Sequence, residues 1–315
     1  MDPPSHRPIR RAVWAALLGN GSIAVMKFIV ALLINSSALL AEGFHSVADT
    51  GNQALLLLGF KLSAKPSDAE HPFGHGKEGY FWPFVVAISM FTVGAVLSIN
   101  EGIKKIMYPH PITNARWGYL VLALSFLFES YPLFLAFQVL KGQMKRRGVI
   151  RALCESKTPS VFIVLFEDSA ALFGICIAFL GIMAASLTHN AIYDGIASIV
   201  IGVTLAVVAL FLSYETKSLL IGEGVSQENL QKIKRAIATV PEVGEALDIL
   251  TMHLGPEDIL VNLNINFVDD LTTDQVEEAI DKVERAIQAE LPAVKRIFVE
   301  AESLRRVPRR REMQP

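Results

Sequence analysis

Along the first two-thirds of the chain apolar residues run in long blocks separated by short polar breaks, and after Gly222 the pattern changes to tight alternation. Blocks of about 20 residues match the hydrocarbon thickness of a bilayer, so the breaks predict six helical spans, at about 13–34, 37–60, 80–100, 117–140, 159–186 and 192–221. The second block, LLAEGFHSVADTGNQALLLL, is interrupted by Glu42, His45, Asp49, Asn52 and Gln53. A helical period of 3.6 residues brings Glu42, His45, Asp49 and Asn52 close to one face. At membrane depth such a face needs a partner, and imidazole with carboxylate one turn apart is a donor pair that borderline divalent ions such as zinc favour.

The fifth block carries a second acidic pair, Glu167 and Asp168, in VLFEDSAALFG, followed by Ala170, Ala171 and Gly174, whose small side chains permit close approach of another helix. Neighbouring helical positions point ~100° apart, so one of the two carboxylates faces a shared site squarely, and the sequence leaves open which. At ~1.5 Å per residue Asp49 lies roughly 16 Å and Asp168 roughly 14 Å from the inner ends of their spans, so the two can meet near mid-membrane. Lys27 and Glu129, at ~21 Å and ~17 Å, are placed to pair with one another or to take part in proton movement.

Between the second and third blocks, Asp68, Glu70, His71 and His75 crowd into a loop that Pro66, Pro72, Gly74 and Gly76 keep from being helical. Beyond Gly222, Ser226–Thr239 reads as an amphipathic helix capped by Ser226. Ala246–Leu254 and Ile259–Val268 alternate as strands around Gly255–Pro256, Thr272–Glu290 is a second helix, and Arg296–Glu302 a last strand. The order αββαβ predicts a small two-layer α/β domain behind an α-helical membrane domain. The expected domains are an N-terminal segment 1–12, a membrane domain 13–221, a soluble domain 222–304 and a basic tail 305–315.

Composition agrees with the membrane reading: of 315 residues 52% are hydrophobic and 19% charged, with mean hydropathy +0.41. Arg7, Arg10 and Arg11 precede the first span; Lys61, Lys65 and Lys77 follow the second; Lys141, Lys145, Arg146, Arg147, Arg151 and Lys157 follow the fourth. By the positive-inside rule both termini face the cytoplasm, with outer turns at Asn35–Ser36 and Thr188–Asn190. The N-terminus lacks a signal-peptide cleavage pattern, so the first block is expected to be retained. Cys154 and Cys176 are too few and too isolated for a disulfide framework or thiolate centre. A net charge of −2 carries no argument for nucleic acid, and none is expected as a partner. Neither HExxH nor a nucleophile elbow occurs, so enzyme chemistry is not expected. The competing non-transport reading is a membrane scaffold whose soluble tail recruits partners.

AEGFHSVADTGNQ with its HxxxD, HPFGHGKEGYFW, YDGIASIVIG and the soluble tail of about ninety residues together resemble the cation diffusion facilitator family over nearly the whole chain. That resemblance implies a homodimeric, multi-pass antiporter exchanging a divalent metal for protons, probing as substrate zinc first, with manganese or ferrous iron as alternatives, and using no prosthetic group. It implies export across the plasma (inner) membrane, through a site with His45 and Asp49 from the second span and Asp168 from the fifth. The position four before Asp168 is Val164 rather than the family's His or Asp, so Glu167, Glu42, Asn52 or water is expected to complete the set. One imidazole with several carboxylates is a harder donor set than two imidazoles, which is what admits manganese and iron. The resemblance further suggests a peripheral metal site at His71, His75 and Asp68, a contact of Lys77 with an acidic residue such as Glu223, and a tail that dimerises without a full metal centre of its own.

Overall fold

The computed structural model describes residues 7–147 and 159–302, with side chains described from 19 to 131, at 133 and 134, and from 166 onward. Residues 1–6, the basic residues Arg151 and Lys157, the side chain of Val164 and the tail 305–315 lie outside that description. The chain divides into two compact units. One takes the helical residues up to Leu62 and from Glu78 to Lys217; the other takes Ser63–Lys77 and the chain from Ser218 onward.

The first unit is built from helices α1 (Arg7–Ile34), α2 (Ser37–Ser63), α3 (Glu78–Met107), α4 (Ala115–Arg147), α5 (Pro159–Thr188) and α6 (Ile192–Ile221). Three described segments, Glu78–Met107, Phe166–Thr188 and Ile192–Ile221, are long and apolar enough to cross a bilayer, and Gly19–Ile34 is a shorter apolar stretch. The chain is therefore an integral membrane protein in architecture. Breaks fall where the polar positions put them: Asn35 and His189 take left-handed backbone angles of 53° and 54°, ending α1 and α5. Sequence periodicity did not reveal a π-helical segment, Met90–Val96, inside α3. There the Ser98 hydroxyl donates to the Gly94 carbonyl at 2.5 Å, and Ser198 of α6 donates to the carbonyl of Ser98 at 2.7 Å.

Small residues set how closely these helices pack. A Cβ on Gly102 would strike the carbonyl of Gly195, and one on Gly195 would strike that of Gly102, so α3 and α6 cross backbone to backbone. The core beneath is aliphatic, with Ile34, Leu39, Leu122, Ile182, Ile201 and Leu205 fully buried. Backbone carbonyls at the C-terminal end of α1 are not left bare, since Thr113 donates its amide to Ile34 at 3.0 Å and its hydroxyl to Leu33 at 3.1 Å.

The second unit follows the order αββαβ: α7 (Gln227–Ile237), β1 (Val243–Gly255), β2 (Asp258–Phe267), α8 (Thr273–Glu290) and β3 (Val294–Ala301). Strand order is β1-β2-β3, antiparallel then parallel, as expected when a helix joins the second pair. Ser226 caps α7, and Thr272 with Gln275 forms a reciprocal capping box on α8. Alternation in β2 buries Ile259, Val261, Leu263 and Ile265 against Ile233, Ile237, Val283 and Ile287 from the two helices. Asn262, Asn264 and Asn266 take the opposite face, half-buried, with Asn264 donating to Glu302. β1 and β3 each begin earlier than alternation alone marked, at Val243 and Val294, because ladder pairing with β2 extends past the apolar positions.

Loop 63–77 packs on this domain. Gly76 lies against the Leu254 carbonyl and Gly255 with no room for a Cβ, Phe73 sits under the Arg296 guanidinium at 5.3 Å, and Arg296 pairs with Asp258 at 3.0 Å. Lys77 donates to the carbonyl of Leu220 at 3.3 Å, at the end of α6.

Candidate metal site

The polar face of α2 turns into the first unit: Glu42, His45 and Asn52 are buried to 1% exposure or less, and the Asp49 side chain is 17% exposed. His45 Nδ1 lies 3.5 Å from Asp49 Oδ1, the pair one helical turn apart. On α5 it is Glu167 that faces α2. Its Oε1 accepts from Asn52 Nδ2 at 2.7 Å, and its carboxyl lies within hydrogen-bonding reach of Asp49. Asp168, rotated onward along α5, is half-buried with Oδ2 shielded from solvent.

The structure thus brings together His45, Asp49, Asn52 and Glu167 from α2 and α5, with Asp168 at the margin. At Gly174 of α5 an added Cβ would meet the carboxyl of Glu42. Glu42 itself corrects a sequence expectation. Rather than completing a donor set it pairs through Oε2 with Lys27 of α1 at 3.0 Å, while Lys27 also reaches Glu129 Oε1 of α4 at 2.9 Å. The pairing of Lys27 with Glu129 expected from depth is present.

What marks this region chemically is the number of buried polar atoms with no hydrogen-bond partner: both His45 nitrogens, Asp49 Oδ1, Asn52 Oδ1, Glu129 Oε2, Asp168 Oδ2 and Glu42 Oε1. Interior polar groups are almost always satisfied, and each one left unpaired costs on the order of 1–3 kcal/mol. Imidazole nitrogen and carboxylate oxygens are donors that suit a divalent cation of the zinc, manganese or iron kind, and in this structure no three of those just named, among the described residues, lie within 4.8 Å of one another.

Loop 63–77 holds a second grouping. Asp68, His71 and His75 present one ligand atom each, all within 4.8 Å of one another, and form the one such set of three among the described residues. His75 Nε2 lies 3.0 Å from Asp68 Oδ2 and His71 Nδ1 3.3 Å from Oδ1, which also accepts from the amides of Glu70 and His71. The imidazole rings stand 4.3 Å apart. Glu70 does not join the set. The hydrogen bond with His75, and next the His71 amide, hold the Asp68 carboxyl at about 2, below its usual 3.8. A lowered folded value means that what this carboxylate contributes is present above 3.8 and lost as pH falls through about 2. A carbon-13 titration of the Asp68 carboxyl is expected to find its midpoint near 2; a midpoint at the usual value would remove the histidine contact.

One buried acid was not singled out from sequence. Asp194, at the start of α6, accepts from the Ser36 hydroxyl at 2.6 Å, the Ser37 amide at 2.6 Å and the Ser37 hydroxyl at 3.0 Å. It is an anion seated on the N-terminus of α2, with Lys105 Nζ 3.9 Å away. The available signal was Ser36–Ser37 opening one block and an aspartate opening another.

Comparison with known proteins follows the same division. Residues 13–221 match the family model described as the cation efflux transmembrane domain, and residues 225–304 match that of the cation efflux protein cytoplasmic domain. The chain is 30% identical over 259 residues to the mouse (Mus musculus) proton-coupled zinc antiporter SLC30A9, mitochondrial, covering 82% of this chain and 46% of that protein. It is 32% identical over 268 residues to metal tolerance protein C4 of Arabidopsis thaliana, covering 84% of this chain and 58% of the relative. With the cation-efflux pump FieF of Klebsiella pneumoniae strain 342 it shares 27% identity over 293 residues, 93% of this chain and 92% of the pump. The chain spans about half the length of the SLC30A9 proteins it matches.

Proposed function

The chain belongs to the cation efflux, or cation diffusion facilitator, family, and from that premise we propose that it is a proton-coupled divalent metal exporter whose cargo binds among His45, Asp49, Glu167 and Asp168. The observation that carries this reading is the set of buried, partnerless nitrogen and carboxylate atoms contributed by α2 and α5.

Asp49 of α2 lies 3.5 Å from His45, and Glu167 of α5 accepts from Asn52 of α2 at 2.7 Å, so carboxyl groups from the two helices lie along one polar face of α2. Like charges so placed repel strongly, and a cation has to lie between them. Metal and protons are the two cations that fit, and each excludes the other, because carboxylate and imidazole ligate metal only when deprotonated. Exchange of one for the other across the bilayer is antiport. Alternation between an inward-open and an outward-open arrangement then lets metal enter from the cytoplasm and leave outside as protons return.

Zinc is the first cargo, supported by the name of the mouse relative and by an imidazole in the donor set; manganese and ferrous iron follow from its several carboxylates. Six spans per protomer, both termini in the cytoplasm of the plasma (inner) membrane, and a homodimer held by the 222–304 domain complete the reading. The basic residues at the cytoplasmic ends of the spans support the orientation. Asp68, His71 and His75 form a peripheral metal site.

The decisive experiment is flux into liposomes containing this protein alone, with an outward-to-inward pH gradient and a panel of Zn²⁺, Mn²⁺, Fe²⁺, Ca²⁺ and Mg²⁺. Expected is pH-driven uptake of Zn²⁺ or of its harder neighbours, with none of Ca²⁺. A membrane scaffold would give protein-free background for every ion.

A further inference from the structure

A cavity of about 540 Å³ lies between α4 and α5, and none of the proposed metal donors lines it. Its walls are Leu122, Phe126 and Leu127 of α4 with Ile175, Phe179 and Leu180 of α5, and Tyr119 of α4 meets Phe179 across the two helices at a ring distance of 5.2 Å. The volume is that of a small-ligand site, but such sites place a few polar groups to orient their ligand, and here the lining offers only the Tyr119 hydroxyl and the Cys176 thiol. What the cavity takes in is therefore hydrocarbon. Phe126, Leu127, Phe179 and Leu180 are all exposed, so the cavity opens sideways on a face of helices that cross the bilayer, where the surrounding hydrocarbon is acyl chain.

The α4 wall continues to a cation. On a period of 3.6 residues Arg116 falls on the same stripe as the cavity-lining Ala123 and Leu127. Arg116 is exposed and, among the described residues, in no ion pair; Trp117 beside it is exposed as well. Tryptophan favours the bilayer interface, and a guanidinium matches the geometry of a phosphate. Both sit in the first turn of α4, whose N-terminal end adds partial positive charge. From Arg116 to Leu127 the helix rises roughly 16 Å, against about 15 Å for one leaflet's half of the hydrocarbon core. The stripe thus has the length and polarity of one lipid molecule, with a cation at the headgroup end and an apolar channel reaching to the midplane.

We propose that this groove binds one anionic phospholipid from the leaflet at the N-terminal end of α4, with its phosphate on Arg116 and one acyl chain lying between α4 and α5. The lipid is a fixed partner of these two helices, distinct from the exchanging lipid that covers the rest of the apolar surface. Nothing in this assignment depends on which ion is carried or where the ion binds.

The test is photocrosslinking of the full-length protein in phosphatidylcholine vesicles doped with phosphatidylglycerol or phosphatidylcholine that carries a diazirine midway along one acyl chain, followed by peptide mapping. The phosphatidylglycerol probe is expected to label Phe126, Leu127, Cys176 and Phe179 several-fold more densely than Val207 and Leu210, apolar residues of α6 that are also exposed. The phosphatidylcholine probe should label the groove less. Arg116→Gln is expected to lower groove labelling by phosphatidylglycerol about fivefold, to the level of phosphatidylcholine, and to leave α6 unchanged. Ala123→Phe, at an exposed position in the cavity wall, should lower groove labelling by both probes; if that variant does not fold, Arg116→Gln carries the comparison alone. Groove labelling no denser than that of α6 overturns the proposal, because the groove is then ordinary lipid-facing surface. Equal labelling by the two probes in the unaltered protein overturns the phosphate contact and with it the anionic lipid. A short bismaleimide that joins Cys176 to Cys176 in a Cys154→Ser background also overturns it, since a second copy of the chain then covers the groove.

Discussion

Asp49→Ala protein, reconstituted into liposomes under a pH gradient, is expected to move metal no faster than protein-free vesicles. This carboxylate joins the two halves of the donor set: it lies 3.5 Å from the His45 imidazole on its own helix and meets Glu167 from α5. Removing it takes away a metal ligand and also the like-charge contact that makes a cation necessary there. Among the described residues Asp49 is shown in an ion pair with His45 alone, so alanine leaves no lysine or arginine stranded there. Dimer elution and helix content are accordingly expected at wild-type values. His45→Ala should behave the same way, since both its nitrogens are buried and neither serves the fold through a hydrogen bond. Flux in Asp49→Ala at the level of the unaltered protein would falsify the site.

How far this could be read from the chain depended on which physical signal each residue carries. The α2 face was legible because one helix, with one period, decides which way Glu42, His45, Asp49 and Asn52 point. The αββαβ order was legible for a similar reason: β2 alternates strictly, and Ser226 and Thr272 stand where caps belong. Choices between helices were not. Whether Glu167 or Asp168 faces α2 depends on how α5 is rotated, which shows only in contacts between residues far apart in sequence, such as Asn52 with Glu167. Glu42 lies on the same face as His45 yet pairs with Lys27 of α1, a contact that the period of α2 alone does not reveal. Asp194 escaped notice because its partners, Ser36 and Ser37, are polar residues at a turn and gave no sign that a carboxylate would be buried on them. The π-helical segment in α3 leaves the apolar pattern intact and so has no signature in it.

Lys27→Met is expected to destabilise the first unit strongly. Methionine nearly conserves the volume and the apolar stem, so the loss is one of charge alone. Glu42 is fully buried and Glu129 nearly so, and both lose their cation. Breaking a buried ion pair from one side costs on the order of 3–5 kcal/mol, whereas replacing the whole set by neutral groups is often close to neutral. The melting temperature in detergent, followed by the loss of the dimer peak, should therefore drop by roughly 10 °C. Adding Glu42→Gln and Glu129→Gln in the Lys27→Met background should recover most of that drop. A Lys27→Met protein as stable as the unaltered one would mean that water reaches Glu42 and Glu129, and the three residues would then be a solvated group at the edge of the bundle rather than the clamp that joins α1, α2 and α4.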